Sequence, residues 1–223
     1  TAAMKEPYSD RADLFSGELQ NQPSKLNAAI EVLDAEGFQI HFHAIGDYAI
    51  EVSFDSLQNA REKDGKRDSR HHISHIEVFQ EKDISRFNEL DVVANFQPLW
   101  AIEDEYITEH TWPKIGQERS KFLYPIGSVK RSGGKIAFGS DWYVTSVNPL
   151  DGIETAVTRL EPNGLTKNPL GVNEEIGLAD AIEAYTLNGA YVNFLDKKVG
   201  SIEVGKQADL IVLDKNLFEK GLA

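Results

Sequence analysis

Apolar residues along the chain alternate between helical spacing and short continuous runs. In residues 26–37, Leu26, Ala29, Ile30 and Leu33 recur at helical spacing, with Ser24 placed to cap the start and Gly37 the end. The next run, FQIHFHAI, is short and rich in β-branched and aromatic residues, and Gly46-Asp47 follows at once. That pattern predicts a buried strand ending in a tight strand-to-helix turn, then a helix over 48–63 stopped by Asp64-Gly65. The alternation repeats. RHHISHIE is strand-like, 83–90 reads as a shorter helix, VVANFQP is strand-like and closed by Pro98, and KIAFGSD is a fourth short strand. Between them, 99–119 carries Trp100, Tyr106, His110 and Trp112 without helical periodicity and is expected to form a lid or active-site loop. A helical pattern over 122–133 is broken by Pro125 and Gly127. Towards the C-terminus the pattern predicts a helix over 150–160, a loop over 161–173, a helix in GLADAIEAYTLNGAYVNF interrupted at its Asn-Gly, and an ADLIVLD strand after Gly205.

Strands alternating with helices at this spacing predict βα units around a parallel sheet, an α/β fold with four strands starting near Phe38, His71, Val92 and Ile136. The last strand breaks the rhythm and is expected to be a small separate β element.

Composition narrows the class. The 223 residues contain no cysteine, which excludes disulfide scaffolds, thiolate metal sites and cysteine nucleophiles together. Thirty-six acidic against 23 basic residues give a charge of −13, which argues against a nucleic-acid surface. No apolar run approaches the ~18 residues of a membrane span. A soluble, cytoplasmic protein is the expectation, and Thr1-Ala2-Ala3 in place of an initiator methionine points to processing or a longer parent.

The strand ends carry the chemistry. Parallel α/β proteins place their sites at the C-terminal ends of strands. Here the first end holds His41, His43 and Asp47; the second His71, His72, His75 and Glu77; the third Asn95 and Gln97; the fourth Ser140-Asp141-Trp142. Five of the six histidines therefore lie on two neighbouring ends. His41 and His43 share a face by strand parity; His43, nearer the end, is favoured as a ligand, with His41 beneath it. Parity likewise selects His71 over His72 to share the face of His75. Two imidazoles and a carboxylate suit Zn, Fe, Mn or Co. Their separations, 32 residues from His43 to His75 and 66 from His75 to Asp141, exclude a local finger and fit neighbouring strand ends. Asp141 reads either as the cap of the next turn or as a ligand that also moves a proton. Asp47 reads as a helix cap or an outer partner of the site, and Lys206 as part of a turn.

These residues carry a resemblance. HFHAIGDYAI, RHHISHIE, FGSDWYV and the closing GSIEVGKQADLIVLD resemble, in order, the fifth-, sixth- and eighth-strand motifs and the final signature of amidohydrolase family 3, the YtcJ-like group of metal-dependent amidohydrolases. TAAMKEPYSD is similar to that group's segment after the fourth strand. The resemblance implies a partial TIM barrel, strands five to eight of a (β/α)8 barrel over 1–195, with 196–223 part of a β-sandwich. It implies His43, His75 and Asp141 as metal ligands, Asp141 also as catalytic proton shuttle, and a divalent metal, zinc first, with one or two ions in the full-length parent. His41, His71, Asn95, Gln97 and Trp100 would contact substrate or support the ligands. Ser74 stands where many relatives have glutamate, His72 where arginine is common, and Tyr143 where proline is frequent.

The implied reaction is hydrolysis of a non-peptide carbon–nitrogen bond in a small amide, an N-substituted formamide being one candidate. The family's first-strand His-x-His pair and fourth-strand ligand are absent from the sequence. The expectation is therefore a half-barrel that pairs with a missing N-terminal half or with itself through open edges. Two other classes stand beside it: a metal-binding or structural fragment without turnover, and a metal-dependent esterase or phosphoesterase.

Overall fold

The computed structural model describes residues 2–162, 164–171 and 173–219. Thr1, Asn163 within the expected loop, Val172 and the last four positions of the expected 196–223 unit lie outside the described residues.

The N-terminal stretch folds back on itself, Met4 N donating to Ser16 O (2.7 Å), and leads into helix α1 (Pro23–Ala35). Pro23 starts this helix because its fixed φ and missing N–H suit a first turn, so Ser24 lies inside it and does not cap it. Strand β1 (His41–Ala44) follows, then helix α2 (Asp47–Asp64), which Gly46 makes possible by turning at φ 98 beneath the Ala3 carbonyl. Next come β2 (His72–His75), a 3₁₀ turn (Glu81–Asp83), helix α3 (Arg86–Glu89) and β3 (Val93–Phe96). The four strands, completed by β4 (Ile136–Phe138), are parallel and lie in chain order β1-β2-β3-β4.

Between β3 and β4 the chain is not the open loop its aperiodic sequence predicts. A 3₁₀ turn (Pro98–Trp100) leads to a π-helical turn (Tyr106–Thr111) that runs into α4 (Trp112–Ser120), kinked at Gly116 (φ 76). The wider π turn displaces side chains from the 3.6-residue spacing, which hides the helix from a periodicity test. Arg119 on α4 reaches the carbonyls of Glu6 (2.8 Å) and Pro7 (2.7 Å), fastening this arm to the N-terminal stretch. Helix α5 (Ile126–Arg131) precedes β4.

The register places Phe42, Ala44, Ile73, Ala94, Phe96, Ile136 and Phe138 on one sheet face, which with Ile50, Phe54 and Phe87 makes the core. His41, His43, His72, Ser74, Asn95 and Ala137 fall on the other face, where His41 and His43 are exposed.

After β4 come α6 (Pro149–Thr158), α7 (Leu178–Tyr185) and α8 (Leu187–Val192). The break between α7 and α8 is at Thr186 (φ −110, ψ −86), not at Asn188-Gly189. Its hydroxyl bonds back to Ile182 O (2.7 Å), and Gly200 packs against its carbonyl. Helix α8 lies under the N-terminal ends of the strands: its Val192 carbonyl accepts from Gln39 (2.7 Å) and its Tyr191 carbonyl from Arg70 (2.7 Å). The insert after α6 is fastened by Arg159. This fully buried arginine donates to the carbonyls of Leu170 (2.7 Å) and Leu123 (3.3 Å), and its own carbonyl accepts from Leu170 N (3.2 Å).

The expected ADLIVLD strand does not form. In residues 208–214, Ile211 and Val212 are exposed and no described strand lies alongside. A strand exists only where a neighbour takes up its backbone hydrogen bonds. No described helix is long and apolar enough to cross a membrane.

Candidate metal centre

The centre is built where β1 and β2 end. His43 faces out of the open side of β1, and its ring meets that of His75 edge-on at 4.4 Å. Pleat alone would not bring them together. His75 is paired with Ala44, so strict alternation would send it into the core beside Ile73. Instead His75 (φ 80) and Ile76 (φ 55) both adopt left-handed backbone, which swings the imidazole across to the open face. There its Nδ1 bonds Gln97 Oε1 (2.9 Å), and its face stacks on Trp100 (5.0 Å between centroids, 2° apart). Burial lowers the pKa of His75 and the neighbouring His43 adds to this, while the Gln97 bond and the charge of Asp141 oppose it. The net shift favours the neutral ring.

That same backbone twist corrects the parity argument for its neighbours. His71 does not share the face of His75. It points into the helix layer, where Ile40 N donates to its Nδ1 (2.9 Å) and its Nε2 bonds buried Asp34 (2.9 Å). Both of its ring nitrogens are taken up there. His72 instead lies on the open side against His41, their rings 4.1 Å apart, and His41 Nε2 lies 2.6 Å from Ser74 Oγ. Partial desolvation of its ring depresses the pKa of His41, although the residue is exposed at one side, with His43 adding to the effect; fuller burial takes His72 down to about 4, with His41 adding. His72 belongs to the polar cluster that the sequence reading gave to His71. The signal was present in the alternation of His41 and His43 matched through the register to His72 and Ser74.

Asn95, on β3, accepts from Gln97 Nε2 (3.3 Å), so Asn95, Gln97 and His75 form one chain of hydrogen bonds. Asp141 sits in the turn after β4 (φ 51), exposed, and its carbonyl accepts from Val144 N (2.8 Å). Asp47 is buried at the start of α2 and binds Lys5 N (2.9 Å) and Gln80 (2.8 Å), an anchor for the N-terminal stretch. Lys206 bonds Ser201 and Glu203 within its turn, as expected. A cleft of about 720 Å³ opens beside His43 and runs past Tyr8, Phe15, Tyr106 and His110; His75 and Asp141 are outside its lining.

In kind, the donors fit a divalent transition metal. Two imidazoles meet at adjacent strand ends, and the Gln97 bond at Nδ1 leaves Nε2 of His75 free as a lone-pair donor. In number they stop short. Among the described residues no group of three or more His, Asp or Glu is placed to hold an ion, and Asp141 stays in its exposed turn.

Comparison with known proteins places this arrangement. An amidohydrolase family model matches residues 1–221. The chain belongs to the amidohydrolase family. Among curated relatives, it is 33% identical to Protein LONG AFTER FAR-RED 3 of Arabidopsis thaliana, over 99% of this chain and 37% of that protein. It is 30% identical to the putative amidohydrolase YtcJ of Bacillus subtilis, over 98% of this chain and 40% of that protein. A crystal structure of an uncharacterized metal-dependent hydrolase from Pyrococcus horikoshii superposes with a TM-score of 0.81 at 26% identity, covering 97% of this chain and 42% of that one. This amidohydrolase chain thus spans about two fifths of the length of the relatives it matches. Its parallel sheet flanked by helices is a partial (β/α) barrel.

Proposed function

We propose that the four strands are strands five to eight of a (β/α)8 hydrolase barrel spanning 1–195, with 196–223 contributing to a β-sandwich. The full-length parent would act in the cytoplasm, hydrolysing a non-peptide carbon–nitrogen bond in a small amide, with N-substituted formamides the first class to assay. The observation that carries this reading is the meeting of His43 and His75 at adjacent strand ends, with Nε2 of His75 left free. The family match and the fold likeness support it.

His43 and His75 would hold a divalent ion, zinc first, and Asp141 would join them from the turn after β4. Such an ion supplies Lewis-acid chemistry, acidifying water and polarising a carbonyl. Asp141 accepts the proton that water gives up as it attacks, then delivers it to the departing nitrogen. Trp100 and the aromatic cleft beside His43 wall off one side of the reacting group.

A second reading, a metal-binding fragment without turnover, is favoured by the exposed position of Asp141 and the absence of a three-ligand group among the described residues. One experiment separates the two. Metal content and amide hydrolysis are measured for the full-length parent and for this chain, with His43→Ala, His75→Ala and Asp141→Ala in each. Stoichiometric zinc and activity in the parent, lost in the variants, support the hydrolase; metal without turnover in the parent supports the second reading; an active parent without metal overturns both.

A further inference from the structure

We infer that Gln97 and Trp100 act as a two-sided clamp that positions His75, fixing its tautomer as well as its plane. The purpose of the clamp rests on the metal reading above, but its geometry stands apart from it. His75 and Ile76 are consecutive non-glycine residues in the left-handed region, a disfavoured pairing that persists only when surrounding contacts hold it. Ile76 is held by the core and by its N–H to Ala44 O (3.3 Å), whereas the contacts on the His75 ring come largely from one short segment. Pro98–Trp100 is a single 3₁₀ turn, closed by Trp100 N to Gln97 O (3.0 Å), which sets the two side chains three residues apart over the same ring.

Trp100 covers the flat of the imidazole almost in parallel, which sets its plane. Gln97 takes the edge at Nδ1 and sets its rotation. The amide of Gln97 is itself fixed, because it is buried and its Nε2 donates to Asn95 Oδ1 (3.3 Å). With Nε2 turned to Asn95, the Gln97 amide presents Oε1, an acceptor, to His75, and this orientation places the ring proton on Nδ1. Nε2 is then a lone pair, on a ring that meets His43 edge-on at 4.4 Å. Asn95, Gln97 and Trp100 are therefore positioning residues for His75, and contact with substrate is not needed to explain any of them.

The test uses the 223-residue chain, metal-free at neutral pH, with long-range ¹⁵N–¹H correlation spectra reporting the His75 tautomer and a titration reporting zinc affinity. The wild type should show the Nδ1–H form. Gln97→Leu should give a tautomer mixture and weaken zinc binding by about tenfold or more. Gln97→Glu, which still accepts at Nδ1, should retain the Nδ1–H form. Trp100→Phe should keep the His75 resonances sharp where Trp100→Ala broadens them. Should Gln97→Leu fail to fold, Asn95→Ala frees the Gln97 amide and should produce the same mixture. An unchanged Nδ1–H tautomer in the folded Gln97→Leu or Asn95→Ala variant overturns the clamp. Zinc affinity equal in the wild type, His43→Ala and His75→Ala overturns the metal reading, and the tautomer readout still decides the clamp.

Discussion

His72 is nine-tenths buried beside His41, and its Nδ1 has no hydrogen-bond partner. Its folded pKa of about 4 lies below the ordinary 6.5, so the unfolded chain binds the proton more readily. Stability from this site is complete above pH 6.5 and is lost as pH falls towards 4, by up to about 3 kcal/mol. His71 and His75 are shifted the same way by burial and steepen the loss. Thermal midpoints measured between pH 8 and pH 4 should drop across this window, and His72→Gln should flatten the curve; an identical curve would show that His72 is not the group responsible. Asp34 is the other residue on which much turns. It is buried and binds His71 Nε2, Arg67 (2.5 Å) and Ser69 (3.4 Å). Asp34→Ala strands a buried ring nitrogen and an arginine, and urea unfolding should register a loss of about 3 kcal/mol. At this scale the sequence made the histidine cluster legible but not its sorting. Parity holds only while φ stays extended, and two left-handed residues at 75 and 76 undo it in a way that no spacing rule anticipates.

Among the elements, the strands were legible because each is a short β-branched or aromatic run bounded by polar turns, and all four appear within a few residues of their expected starts. The arm from Tyr106 to Ser120 was not, because a π turn and the Gly116 kink erase its period, and the strand expected at 208–214 does not form because a short apolar run cannot by itself supply a neighbour. Packing between α6 and α7 offers a sharp test. Gly152 lies in α6, where alanine ordinarily gains about 1 kcal/mol of helix propensity. Here the added methyl would lie 2.0 Å from the Tyr185 hydroxyl and 2.8 Å from its ring carbon. Tyr185 cannot easily yield, since its ring is wedged edge-on against Phe138 of β4 (5.3 Å). Overpacking of this kind costs about 1–3 kcal/mol and outweighs the propensity gain. Gly152→Ala should therefore lower the unfolding midpoint; a rise would mean that α7 moves aside freely.

For the molecule as a whole, the governing fact is that, among the described residues, the four-stranded parallel sheet has two unpaired edges, β1 and β4. Its open face exposes His41 and His43, and Trp142, Tyr143, Val144 and Val147 project from the turn beyond β4. Such edges and apolar surface favour association. Sedimentation velocity should show the average mass rising with concentration, and co-expression with the N-terminal half-barrel proposed above should replace that series with a single species. A concentration-independent monomer would show that the edges are protected in this chain alone.

Arg159 carries a consequence of another kind. Because it grips Leu170 and Leu123 from the end of α6, and Ile176 N reaches Ala156 O (3.1 Å), both shores of the insert are held without help from the peptide links between them. Leu165 and Lys167 stand on the exposed span. Trypsin acting briefly at Lys167 should leave two polypeptides that travel together in a native gel and separate only in denaturant. Covalent continuity is dispensable there, which makes this insert the natural place to reopen the chain with new termini or to splice in a tag.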